Sequence, residues 1–216
     1  MYRPWQAALA GFEVVPVEYP GRGSRFSAPF ASSVQALAAE LAEAISLRLG
    51  QDDGEFRFFG HSLGALMAYE VCLQLRRLGV RLPQQLWVSA RKAPHLPQAT
   101  SPRHLLPDAE LVQLLSRMGG TPQTVLDNAE FRQLLLPVVR ADFRLHDEYQ
   151  HQGAAALACP VIALGGEEDY EVPGEAIAPW QDFTTEGFVQ HQRPGGHFYL
   201  QQADFLPWFQ ARLSQA

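Results

Sequence analysis

The chain has 216 residues, 47% of them hydrophobic and 19% charged, with a formal net charge of -6. That length buries one sizeable core, so a single domain over 1–216 is expected, and the acidic balance argues against a nucleic-acid binder, which needs basic surface. No run reaches the roughly 18 apolar residues of a membrane span, the first residues are not a signal peptide, and the two cysteines, Cys72 and Cys159, read as neither a disulfide framework nor a metal site, which points to a reducing cytoplasm.

In chain order, a short helix is expected over Met1 to Ala10, then a strand over Phe12 to Val17, where Val14, Val15 and Val17 are β-branched. Tyr19-Pro20-Gly21-Arg22-Gly23 makes a glycine-rich turn, without the lysine-serine or lysine-threonine pair of a phosphate loop. Val34, Leu37, Ala38, Leu41, Ala44, Ile45 and Leu49 repeat with a helical period, so Ser33 to Leu49 is a core-facing helix closed by Gly50. A strand over Phe56–Phe59, a helix over Ala65 to Leu78 and a strand over Leu86–Val88 follow. From Arg91 to Gln152 there is no strand signal. Prolines at 94, 97, 102 and 107 mark a loop, Asp108 is placed to cap a leucine-rich helix broken by Gly119-Gly120, and Phe131 to Tyr149 is helical with Pro137 interrupting. This block, about 95–150, is expected to be a helical lid over the sheet edge, or an ordinary extra helical layer, since leucine stripes commonly pack as core. A buried strand over Val161–Leu164, a helix around Glu175 to Gln181, a strand over Phe188–Gln190 and a helix over Ala203 to Leu213 complete the pattern. Strands alternating with helices imply a mostly parallel sheet covered on both faces, with its chemistry at the carboxyl ends of the strands.

The chemistry centres on Gly60-His61-Ser62-Leu63-Gly64, a Gly-x-Ser-x-Gly pattern between a strand and a helix. Such a nucleophile elbow holds its serine on a strained turn, and glycines two residues away leave room for it. A serine hydroxyl needs a base, and the base a carboxylate. Of the seven histidines, His197 follows Gly195-Gly196 directly after the last strand, in the chain order serine, acid, histidine. His61 lies inside the elbow with its ring expected to turn away; His95, His104, His146, His151 and His191 have no matching context. Asp169, just past the strand Val161–Leu164, is the preferred acid, with Glu167, Glu168 and Glu171 as a solvated rim. The N–H of Leu63 is placed to stabilise an oxyanion. Residues alone do not separate a thioester from an ester substrate.

Several stretches together resemble the type II thioesterases, stand-alone hydrolases of polyketide and nonribosomal peptide assembly lines. They are Tyr2-Arg3-Pro4-Trp5, Pro20-Gly21-Arg22-Gly23, the Ser62 elbow, Met118-Gly119-Gly120-Thr121-Pro122, Arg140-Ala141-Asp142, Gly165-Gly166 with Asp169, and Gly195-Gly196-His197-Phe198. The resemblance runs over essentially the whole chain. It implies an α/β-hydrolase fold with a helical lid, and Ser62, Asp169 and His197 as the triad. It also implies hydrolysis of acyl thioesters carried on the phosphopantetheine arm of acyl or peptidyl carrier proteins. A cytoplasmic monomer with no metal and no cofactor of its own is expected. In the family a strand and a His-Ala-Gly-Gly-like loop precede the Tyr-Arg-Pro-Trp segment. They are not in these 216 residues, so the functional protein is expected to be longer, or else short of one oxyanion donor at about 10²–10³ in turnover. The competing readings are a small-molecule carboxylesterase or lipase, and a carrier-protein binding module with an impaired site.

Overall fold

In the computed structural model, which describes residues 2, 4–51, 53–97 and 101–213, strands β1 (Arg57–His61), β2 (Gln85–Ser89), β3 (Val161–Gly166) and β4 (Phe188–Arg193) form one sheet in that spatial order, every pair parallel. The register sets Phe59 opposite Trp87, Trp87 opposite Ile162 and Ile162 opposite Val189. Parallel neighbours cannot be joined by a hairpin, so each connection carries helix across a face. Alternation along the strands then splits the core in two. Leu86, Val88, Val161 and Ala163 pack on Ala65, Tyr69 and Cys72 of α3 (Leu63–Arg77) together with Trp180. Trp87, Ile162 and Leu164 face the other way, onto Trp5 of α1 (Trp5–Ala8) and Phe205 and Phe209 of α8 (Phe205–Leu213). β3 is buried at every position, as a central parallel strand covered on both faces must be. This is an α/β-hydrolase architecture.

α2 (Val34–Leu49) begins where the sequence places it. Ser33 is its N-cap, accepting the Ala36 N–H at 3.1 Å, and Leu37, Ala38 and Leu41 lie against Leu66, Met67 and Val71 of α3.

The expected strand over Phe12 to Val17 does not form. Among the described residues the segment pairs with no strand, and Val15 and Val17 are exposed. β propensity supplies a preference but not a partner, and an extended segment becomes a strand only by closing a ladder. Gln6 ties this stretch down instead, donating to the Phe12 carbonyl at 3.1 Å and accepting the Val14 N–H at 2.8 Å. The first helix is also shorter than expected; Met1 and Arg3 lie outside the described residues.

Between β2 and β3 stand α4 (Asp108–Met118), α5 (Gln123–Asp127) and α6 (Ala129–Asp147). Their leucines form a core of their own: Leu111, Leu114, Leu115, Leu126 and Leu136. Leu145, farther along α6, joins the α2–α3 core instead, so the block is tied to the body at one end. Asp108 is not the cap of α4. It is the first helical residue, Pro107 precedes it, and its carboxylate pairs with Arg140. Pro137 does not interrupt α6. Proline removes one backbone donor, at about 3 kcal/mol in a helix interior, but Asn128 caps the helix through its side chain and Leu136 anchors it in the block's core. Beyond β3, α7 (Gly174–Ile177) and a 3₁₀ turn over Ala178–Phe183 replace the single expected helix.

Candidate active site

The elbow is built by steric necessity. Ser62 links β1 to α3 with φ 54° and ψ -116°, a left-handed backbone that costs an L-residue about 1–2 kcal/mol. Its amide donates to the Ser89 carbonyl at 2.8 Å, which carries the sheet's hydrogen bonding one residue past β1 and fixes where the serine stands. Gly60 has no room for a side chain: a Cβ there would sit 2.1 Å from the Gly64 carbonyl oxygen. The second motif glycine, Gly64, faces open space. Leu63 is the first residue of α3, so its N–H is one of those a helix leaves without an internal acceptor.

Asp169 and His197 meet because two glycine pairs pack backbone to backbone. A Cβ on Gly166, at the end of β3, would lie 2.5 Å from the Gly195 carbonyl oxygen, and Gly195 itself takes φ 102°. The Glu168 N–H donates to the Gly195 carbonyl at 3.0 Å and locks the two loops together. His197 Nδ1 lies 2.8 Å from Asp169 Oδ2, with both side chains nearly inaccessible to solvent. The other carboxylate oxygen accepts the Glu171 and Val172 N–H groups at 2.9 and 3.2 Å, so the aspartate is held by backbone on one side and imidazole on the other. His197 Nε2 has no hydrogen-bond partner among the described residues. A third glycine brings in the helical block: a Cβ on Gly120, just after α4, would strike the ring of Phe198, the neighbour of His197.

Ser62 and His197 line one narrow cavity of about 40 Å³. Its remaining wall comes from Ala90, Met118, Phe143, His146 and Val172, with Arg91, Lys92, Arg103 and Glu171 around them. Arg103 is paired with Glu171. Of the glutamates beside Asp169, then, Glu171 is no solvated rim; it belongs to the cavity wall. Burial pulls the Arg91 guanidinium down to about 10. Burial likewise drives His146 down to about 4, against the favourable contact with Asp147, so near pH 7 the cavity sees a neutral imidazole.

His61, expected to turn its ring from the reaction face of Ser62, is absent from the wall of the cavity that Ser62 lines, while its ring packs on that of His197 with centroids 5.2 Å apart. Its Nδ1 lies 2.9 Å from Ser89 Oγ, and that hydroxyl also bonds to Tyr199. Ser89 with His61 mimics a nucleophile and its base, yet Ser89 is 0% exposed and is not in the wall of the cavity that Ser62 lines. Burial, then the nearby His197, push His61 well below the ordinary histidine range. Sequence reasoning passed over Phe143 and His146. They stand three apart on α6, hence on one face, and that spacing was the available signal.

Residues 1–209 match the family model of the thioesterase domain. The chain is 38% identical over 205 residues to a protein of Brevibacillus parabrevis named linear gramicidin dehydrogenase LgrE, covering 93% of this chain and 76% of that protein. Among solved structures, the RedJ thioesterase from the prodiginine biosynthetic pathway of Streptomyces coelicolor superposes with TM-score 0.91 at 34% identity, over 99% of this chain and 84% of that one. The type II thioesterase BorB from the borrelidin biosynthetic cluster gives TM-score 0.88 at 32% identity, over 99% and 85%.

Proposed function

We propose, from the premise that this chain belongs to the thioesterase domain family and is a thioester hydrolase, that Ser62, His197 and Asp169 form its catalytic triad and that its substrates are acyl groups on the phosphopantetheine arms of carrier proteins. One observation carries the triad: His197 is bonded to Asp169 through Nδ1, while its Nε2, unpartnered among the described residues, stands beside the cavity that Ser62 also lines. The carrier-protein substrate rests on relatives whose names tie them to gramicidin, prodiginine and borrelidin production. LgrE bears a dehydrogenase's name, but Gly21-Arg22-Gly23 runs on into Ser24-Arg25-Phe26, which lacks the third glycine of a dinucleotide fingerprint.

In this reading the acyl carbonyl carbon enters the cavity within reach of Ser62 Oγ. His197 Nε2 takes the hydroxyl proton as the oxygen attacks, and the carboxylate of Asp169 stabilises the imidazolium and holds its ring. Charge develops on the carbonyl oxygen and is met by the Leu63 N–H at the start of α3, where the helix dipole adds to the donor. Collapse breaks the carbon–sulfur bond, and the imidazolium passes its proton to the departing pantetheine sulfur. Water, deprotonated by His197, then attacks the acyl-serine; the bond from the carbonyl carbon to Ser62 Oγ breaks, the imidazolium returns its proton to Oγ, and the freed acid leaves. α4, α5 and α6 act as a lid over this cavity.

The test is release of acetyl from an acetyl-loaded carrier protein by the wild type and by Ser62→Ala. We expect loss of release in the variant with folding intact. Undiminished release would refute the assignment, and a strong preference for p-nitrophenyl esters over loaded carrier would favour an ordinary esterase.

A further inference from the structure

Arg22 lies in the glycine-rich turn after the unpaired segment, and Asp142 lies on α6. Their guanidinium and carboxylate meet fork to fork: Nη1 to Oδ2 and Nη2 to Oδ1, both at 2.7 Å, across 120 positions of sequence. The side chains are only 28% and 31% exposed, so the pair is shielded from much of the screening that weakens surface ion pairs. The guanidinium also stands over the ring of Tyr19, 5.5 Å from its centroid. The turn is shaped to present it. Gly21 and Gly23 both have positive φ, and a Cβ on Gly21 would collide with the Phe30 ring.

What this pair holds is a wall of the cavity. Phe143 follows Asp142 directly and His146 lies one helical turn on, and both line the cavity with Ser62. α6 has other ties nearby: Arg140 donates to the His104 carbonyl at 2.7 Å and pairs with Asp108, Asp147 accepts the His104 N–H at 3.1 Å, Arg144 reaches the Ala31 carbonyl at 3.3 Å, and Leu145 is buried in the α2–α3 core; the Arg22–Asp142 fork is the tie that reaches the glycine-rich turn. We propose that the Arg22–Asp142 pair is a latch that fixes α6 over the cavity and thereby limits the length of acyl group admitted; Arg22 and Asp142 are positioning residues acting through Phe143 and His146. The inference rests on the thioesterase reading above. In a cavity this narrow, holding α6 down favours short acyl groups, and freeing it opens space along the Phe143–His146 face.

The experiment compares kcat/KM for acetyl- and octanoyl-loaded acyl carrier protein in the wild type, Arg22→Gln, Asp142→Asn, the double variant and Arg22→Lys. The octanoyl-to-acetyl ratio is read on one preparation at a time, so the active fraction cancels and partial unfolding does not move it. We expect the ratio to rise about tenfold, equivalent to about 1.4 kcal/mol, in each single charge-removing variant. The double variant should rise no further than the singles, because the two groups act as one unit. Arg22→Lys, which keeps the charge but not the fork, should fall between and serves as the mild variant if the others fold poorly. A ratio unchanged in all variants, or equal losses on both substrates, overturns the latch, and so do single effects that simply add. Failure of the wild type to hydrolyse either substrate overturns the functional reading instead.

Discussion

Replacing Gly60 by alanine tests the elbow's geometry, because the two motif glycines have opposite surroundings. The new Cβ would lie 2.1 Å from the Gly64 oxygen, 2.3 Å from its carbonyl carbon and 2.5 Å from the Ala65 nitrogen. To restore ordinary contact at 3.4 Å, the start of α3 must retreat by about 1.3 Å from the strand, the step from 2.1 to 3.4. These atoms are backbone and cannot rotate aside. Overpacking typically costs 1–3 kcal/mol, so about 3 kcal/mol is expected here, or about 6–12 °C in Tm for a chain of this size. The displaced helix start carries Ser62 and the Leu63 N–H, and a misplacement of about 1 Å costs on the order of 10²-fold in turnover. Gly64→Ala meets nothing within 4 Å and occupies a helical position, where alanine is preferred over glycine by up to about 1 kcal/mol. Its stability should equal or exceed that of the wild type. Urea unfolding followed by far-UV circular dichroism, with kcat/KM on an acyl thioester, reads both effects. A Gly60→Ala protein within about 0.5 kcal/mol of wild type, with unchanged turnover, would refute the steric account of the motif.

Asp169→Asn keeps an oxygen for the Glu171 and Val172 N–H groups but offers an amide to His197 Nδ1 in place of the acceptor. A fall of about 10⁴ in kcat with little change in KM is expected, and activity within tenfold of wild type would remove Asp169 from its role. The wild type should lose stability in mild acid. An unfolded histidine takes up a proton near pH 6.5, whereas burial keeps His146 neutral down to about 4, so the unfolded state binds more protons across that window and stability falls as pH drops from 6.5 to 4. The loss attributable to this side chain is on the order of 3 kcal/mol. Denaturant midpoints between those pH values should decline less steeply in His146→Gln, with a residual slope from His61, also depressed by burial. Parallel curves for the two proteins would show that His146 does not titrate in this way.

Much of this fold is local and therefore legible. Ser33 ahead of a helical apolar period, Gly50 behind it, and a continuous apolar run at Val161–Leu164 each state their element within a few residues. Where reasoning failed, the missing information was a neighbour. The valines of 12–17 favour extended backbone but cannot name a pairing partner. Asp108 reads as a cap until Arg140 claims its carboxylate, and Pro137 reads as a break until the packing around Leu136 is known. His146 has no motif around it, and only the seating of α6 brings it to the cavity.

The residues alone determined the strand–turn–helix at Ser62, since a serine held at positive φ between strand and helix needs a bare α-carbon beside it, and that need is written as glycine at 60. They also determined the alternation of strands and helices, because burial on two faces demands long apolar runs. Chain order and loop context had already singled out Asp169 and His197, which the structure brings together; only the tertiary structure decided that Glu171 joins the cavity wall and which helix closes it. Those choices depend on loops such as Gly166 against Gly195 and ion pairs such as Arg22 with Asp142, contacts between residues far apart in the chain. Local pattern carries no information about them, because the energy that selects them exists only once both partners are in place.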